Sequence, residues 1–150
     1  MQTTREKQLD SDALYQIFIK TWKGFAPNSW NLAIFEGSPE NGLYSWCPDC
    51  VVASSHIAKF ESLQKSSKGT KARLYKFRVG SRKEWKSKEN PFRNEFPHLS
   101  DLPTAMLFYG KIDVLRIIAL QEPDLEMMIA RIRTFEEQIE KGEWRPPVRK

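Results

Sequence analysis

The two cysteines of this 150-residue chain stand three positions apart, in the run Cys47-Pro48-Asp49-Cys50. A thiolate is a nucleophile, and a second thiol one helical turn away can attack the mixed disulfide formed on the first, so this spacing suits thiol–disulfide exchange. Such chemistry needs surroundings that favour negative charge on the attacking sulfur. A helix N-terminus supplies them through unpaired backbone N–H groups and the positive end of the macrodipole. Val51, Val52, Ile57, Ala58, Phe60 and Leu63 recur at helical spacing and predict a helix over about residues 47–64, with the dithiol on its first turn. Pro48 fits there, because the first turn has no use for an N–H and the proline φ is already helical. The expected order of events is attack by Cys47 on a disulfide, then attack by Cys50 on the mixed disulfide.

Other uses of two cysteines fit less well. The count and spacing are wrong for a secreted disulfide framework. Structural zinc usually takes four ligands, whereas the chain adds only His56 and His98 and has no second C-x-x-C. His56 follows Cys50 by six residues on the same predicted helix, a poor position for a shared ligand set, so no metal is expected. A pair of inert buried thiols is the plainest rival.

The elements that must position the dithiol follow from apolar patterning. Asp10 or Ser11 caps a first helix carrying Ala13, Leu14, Ile17, Phe18 and Trp22 on one face, ended by Gly24 and Pro27. Residues 30–35 form a compact apolar run suited to a buried strand, and residues 36–44, with Gly37, Pro39 and Gly42, read as a loop. Residues 72–79 alternate Leu74, Lys76 and Arg78 with Tyr75, Phe77 and Val79, a second strand closed by Gly80. The basic run Arg82, Lys83, Lys86 and Lys88 reads as a solvated loop, with steering of acidic partners as the alternative, and Pro91 and Pro97 confine any helix to about residues 92–96. Residues 103–108 and 114–118, joined by a tight turn, predict a hairpin. Pro123 then opens a last helix through Leu125, Met128, Ile129, Ile132, Phe135 and Ile139, stopped by Gly142 and Pro146-Pro147. Helix, strand, helix, strand, short helix, hairpin and helix make an α/β layered fold.

The composition, 40% hydrophobic and 29% charged, is that of an ordinary soluble globular protein and excludes collagenous, disordered and membrane classes. The length suits one domain over residues 1–150, with a core at about 10–140, a short polar N-terminal segment and a basic C-terminal tail. The polar start leads into no apolar h-region, and the best apolar run, residues 114–120, is short and holds Arg116. Neither a secretory signal nor a membrane span is expected, and a cytosolic location is. Acids are interleaved among the cations behind the net charge of +5, so nucleic acid is not an expected partner.

Taken with its neighbours, Ser45-Trp46-Cys47-Pro48-Asp49-Cys50-Val51 resembles the site of the thioredoxin domain-containing protein 17 family, small cytosolic thioredoxin-related proteins with a W-C-P-D-C site. Phe35-x-Gly37-Ser38, Val79-Gly80 before Trp85-Lys86, Phe92-Arg93, and Pro103-Thr104 leading to Tyr109-Gly110 extend the resemblance over roughly residues 32–110. It implies a thioredoxin-like fold, a central mixed β-sheet flanked by helices in three layers. It also implies a cis bond at Leu102–Pro103 that sets Pro103 beside the dithiol. A monomer with no bound cofactor is expected. The redox-active disulfide would be reduced by thioredoxin reductase, with NADPH as the indirect electron source. Substrates would be small or selected protein disulfides, and the family is also linked to peroxide reduction and to removal of cysteine or nitrosyl groups from thiols. Trp46 would shield the dithiol, and Tyr44, Ser45 and Leu102 would line the substrate side. Trp22, Trp30 and Trp85 are read as packing aromatics, and His98 as a solvated loop residue.

Two departures from ordinary thioredoxins stand out. Where thioredoxins carry a buried Asp that takes the proton of the resolving cysteine, this chain has Ile34. Asp49 or Glu36 is left for that role, or Asp49 simply raises the pKa of a nearby thiol by repulsion. The usual first strand is hard to find in residues 1–9. A non-catalytic adaptor that keeps the fold and uses the dithiol as a redox switch is the alternative function.

Overall fold

Asp10 turns the chain into its first helix by accepting a hydrogen bond from the Ala13 N–H at 2.9 Å, satisfying one of the unpaired donors of α1 (Ser11–Lys23). In the computed structural model, which describes residues 9–40, 43–66 and 70–144, α1 leads into β1 (Trp30–Glu36), a small hairpin of β2 (Pro39–Glu40) and β3 (Tyr44–Ser45), and α2 (Pro48–Gln64). Then follow β4 (Arg73–Arg78), the short helices α3 (Arg82–Lys86) and α4 (Pro91–Glu95), β5 (Thr104–Tyr109), β6 (Ile112–Ile117) and α5 (Glu122–Glu140). The main sheet has the order β4-β1-β5-β6. β1 pairs in parallel with β4 and antiparallel with β5, and β5 with β6, so the sheet is mixed.

Side chains alternate along β1, and the alternation sorts the core into two halves. Trp30, Leu32 and Ile34 pack with Ala53, Ile57 and Phe60 of α2 and with Met128, Ile132 and Phe135 of α5. Ala33 and Phe35 pack on the other face with Phe18 of α1, Phe92 of α4, Phe77 and Trp85. Phe18 anchors that half, edge-on to Phe77 at 5.0 Å and to Phe35 at 5.4 Å between ring centroids. Helices thus cover both faces of a mixed sheet, the three-layer α/β arrangement. Among the described residues no helix is long and apolar enough to cross a membrane.

Four local expectations are corrected. β1 runs on through Glu36, which pairs with Arg78, and the expected loop beyond it carries the β2–β3 hairpin. The basic run is not wholly a loop: the Ser81 hydroxyl accepts from the Glu84 N–H, the Glu84 carboxylate accepts from the Ser81 N–H, and this capping box starts α3 and buries Trp85. Strand β6 begins at Ile112, two residues earlier than the apolar run suggested. Val51 and Val52, counted on the apolar face of α2, are exposed, because the buried stripe of that helix runs through Cys50, Ala53, Ile57 and Phe60 and the two valines lie off it. The polar N-terminal segment, the basic tail with Pro146-Pro147, and all but Leu9 of the stretch searched for a first strand lie outside the described residues.

Candidate functional site

Cys47 is the N-cap of α2, not its first residue. Its backbone is extended (φ −89°, ψ 110°), and its Sγ accepts the Cys50 N–H at 3.2 Å, the position that a Ser or Asp oxygen fills at an ordinary helix start. Pro48 follows in the first turn, where no N–H is needed. The Cys47 N–H donates to Ser45 Oγ at 3.1 Å, so Ser45 fixes the backbone of the cysteine from the preceding strand. On the other side, Cys47 Sγ lies 3.7 Å from the Leu102 carbonyl oxygen, which accepts from the thiol. The Leu102–Pro103 bond is cis, and Leu102 and Pro103 are buried where β5 begins, beside the dithiol. Both cysteines are free thiols, 6% and 2% exposed for Cys47 and Cys50.

The two sulfurs have different surroundings. Burial pushes the Cys50 thiol well above the ordinary cysteine range, and its hydrogen bond with Cys47 and repulsion from Cys47 and Glu36 push the same way. A backbone hydrogen bond from Gly37 opposes them. At neutral pH Cys50 is therefore protonated. Glu36, at the end of β1, is the carboxylate that acts on Cys50. Its own pKa is raised, by burial first, against the pull of Lys76 and Arg78, with Glu61 adding to the rise. Asp49 instead points from the first turn of α2 as an exposed side chain. Ile34 is wholly buried and apolar, so no proton acceptor stands at that position.

Trp46, the residue before Cys47, is held by an interlocked set of small residues. Its indole Nε1–H donates to the Gly80 carbonyl at 2.8 Å, and its backbone N–H to the Ser38 carbonyl at 3.2 Å. Ser38 and Gly80 are themselves joined by two hydrogen bonds of 3.0 Å. Gly37 leaves room for the indole: a Cβ there would come within 2.7 Å of it. Arg82 joins this set, stacked over the Trp46 ring at 5.4 Å and donating to the Trp46 carbonyl at 3.1 Å. Sequence reasoning had Arg82 only within a basic run and missed its place on Trp46, although Ser81-x-x-Glu84 is a capping-box signal that could have put it on an ordered turn.

Near the dithiol in sequence, Tyr44 and Val52 are 70% and 67% exposed, and Leu43 is exposed beside Tyr44. Trp30 and Trp85 are buried packing residues, and Trp22 donates from its Nε1 to the Lys111 carbonyl at 3.1 Å. His98 is half-buried against Phe96, away from a fully solvated position. Among the described residues no group of three or more His, Cys, Asp or Glu side chains is arranged to hold a metal ion.

A family model, described as the thioredoxin domain of thioredoxin domain-containing protein 17-like proteins, matches residues 15–130. The chain belongs to that family. Human thioredoxin domain-containing protein 17 is 38% identical over 78 residues, a match that spans 52% of this chain and 58% of the human protein. Solved thioredoxins share the fold at low identity. The germline-specific thioredoxin Deadhead of Drosophila melanogaster aligns at 15% identity and a TM-score of 0.53, over 84% of this chain and 98% of its own. Thioredoxin from Malassezia sympodialis gives 15% and 0.54, over 77% and 84%, and thioredoxin O2 from Arabidopsis thaliana 15% and 0.53, over 83% and 90%. The fold is a thioredoxin fold, and the match to the human protein spans little more than half of that protein's length.

Proposed function

We propose that the protein is a disulfide reductase in which Cys47 attacks and Cys50 resolves. The observation that carries this reading is Cys47 Sγ at the N-cap of α2, 3.2 Å from the Cys50 N–H, with the protonated Cys50 thiol one turn behind it. The Cys47 thiolate attacks one sulfur of a disulfide. The S–S electron pair leaves with the departing thiolate, which takes a proton from water, and a mixed disulfide remains on Cys47. Glu36 accepts the Cys50 proton, and the resulting thiolate attacks Cys47 Sγ and expels the second product. The dithiol has then given up two electrons and become the Cys47–Cys50 disulfide.

Thioredoxin reductase, drawing on NADPH, restores the dithiol in this reading, and the chain itself binds no cofactor. Substrates are small or selected protein disulfides, met at the rim of Tyr44, Ser45 and Leu102 by a monomer in the cytosol, and peroxide reduction is a further activity. Family membership supports these points.

A coupled assay tests the reading: NADPH consumption with thioredoxin reductase, cystine and the protein. Continuous turnover is expected, falling to background in Cys47→Ser, while Cys50→Ser accumulates a stable mixed disulfide. Parent-like turnover in Cys47→Ser would overturn it. A single oxidation with no recycling would instead mark the protein as a redox-switched adaptor.

A further inference from the structure

The residue before the dithiol carries a cation. Arg82 is exposed, yet its guanidinium is held in place by the Trp46 carbonyl at 3.1 Å and by the Trp46 ring at 5.4 Å. Trp46 is in turn pinned to Gly80 and Ser38, so the charge is tied to the peptide that joins Trp46 to Cys47. An unanchored surface arginine sweeps through solvent, and ordering it costs rotamer entropy when it binds. Here most of that ordering precedes any ligand.

The charge is also available. Glu84, two residues along, is the nearest acid in sequence, but its two oxygens accept from the Ser81 and Ser11 N–H groups, each at 2.9 Å. Among the described residues no carboxylate pairs with Arg82. Lys83 and Lys86, also exposed on α3, add charge of the same sign, and the exposed Asp49 on the first turn of α2 is the opposing one. A guanidinium has five N–H donors in a planar fork that matches a carboxylate, and Trp46 uses only part of that set.

We propose that Arg82 is a specificity-determining residue that favours disulfides bearing a carboxylate close to the sulfur, by receiving that carboxylate beside Cys47. The inference rests on the reductase reading. The step it biases is the first: Cys47 thiolate forms a bond to one substrate sulfur, the substrate S–S bond breaks, and its electron pair leaves on an anionic thiolate whose own carboxylate faces Arg82.

The test uses pre-reduced full-length protein in single turnover with three dialkyl disulfides: anionic 3,3′-dithiodipropionate, neutral 2-hydroxyethyl disulfide and cationic cystamine. The readout is the ratio of the anionic to the cationic rate for Cys47 oxidation, which cancels any general loss from a disturbed Trp46. Arg82→Gln is expected to lower that ratio about fivefold at low salt, the effect of one partly exposed charge. Arg82→Lys should recover part of it. Raising salt to about 0.5 M should bring the parent ratio toward that of Arg82→Gln, since exposed charges are screened. An unchanged ratio in Arg82→Gln, including one where all three rates fall together, overturns the assignment. Failure of the parent to react with any of the three disulfides overturns the reductase reading instead.

Discussion

Replacing Gly37 by Ala puts a methyl group where the Trp46 indole stands. The new Cβ would lie 2.7 Å from Trp46 Cε2, 2.8 Å from its Nε1 and 2.9 Å from Ser45 Oγ. None of these contacts is tolerable for a carbon atom, so the indole or the end of β1 must move. The indole is held by its 2.8 Å hydrogen bond to the Gly80 carbonyl, and a shift that clears the methyl breaks that bond. Overpacking of this kind costs about 1–3 kcal/mol, and the lost hydrogen bond about 1 kcal/mol more. A total near 3 kcal/mol lowers Tm by roughly 6–12 °C in a domain of this size. Thermal unfolding followed by circular dichroism gives the stability change, and iodoacetamide alkylation of Cys47 reports its accessibility. Gly37→Ala should melt earlier and alkylate faster. In a double-mutant cycle, Trp46→Ala should absorb most of the cost of Gly37→Ala, because the clash is gone. A variant that melts within a degree of the parent and alkylates at the same rate would show that Trp46 does not stand against Gly37.

Other perturbations address the resolving thiol. Glu36→Gln should slow decay of the mixed disulfide on Cys47 by about a hundredfold near neutral pH, with the gap closing in alkali as hydroxide takes over the deprotonation of Cys50. Stopped-flow decay that is equally fast in both proteins would remove Glu36 from the mechanism. The reduced protein should also lose stability in alkali. The pKa of Cys50 is raised in the folded state, so its contribution is fully present below the unfolded value, about 8.5, and is lost as pH rises from there toward the folded value. Urea unfolding between about pH 7.5 and 10 should show a Cys50-dependent decline of up to about 1.4 kcal/mol per pH unit, absent in Cys50→Ser. The same decline in that variant would assign it to other groups.

The dithiol and its helix were readable because their signals are local: two cysteines one turn apart, a proline between them and apolar residues recurring after them. The central strands β1 and β5 were readable for a similar reason, since residues 32–35 and 105–108 are apolar on both faces, as a sheet covered by helices on both sides requires. What failed was local structure whose meaning depends on a distant partner. Glu36 looked like the start of a loop because it is charged, yet the backbone of β4 extends β1 through it. Val51 and Val52 were read onto the apolar face of α2, but the sheet meets the stripe through Cys50, Ala53, Ile57 and Phe60, and which of two neighbouring stripes it meets is set by the packing of the layer. Arg82 looked solvated by composition, and only the meeting of α3 with Trp46 gives it a place at the site.

Helix α2 belongs to both halves of the core. Its first turn, with Cys47 and Cys50, packs among Phe35, Phe92 and Met106, while Ala53, Ile57 and Phe60 pack on the opposite side of the sheet. The reduction potential of the dithiol is thereby linked to packing in both layers, since it measures the free-energy difference between two forms that this helix must accommodate. A change in either layer that favours the dithiol over the disulfide form by about 1.4 kcal/mol makes the pair more oxidising by about 30 mV. Residues far from either sulfur, such as Phe18 or Ile132, are therefore part of what sets the electron affinity of the site.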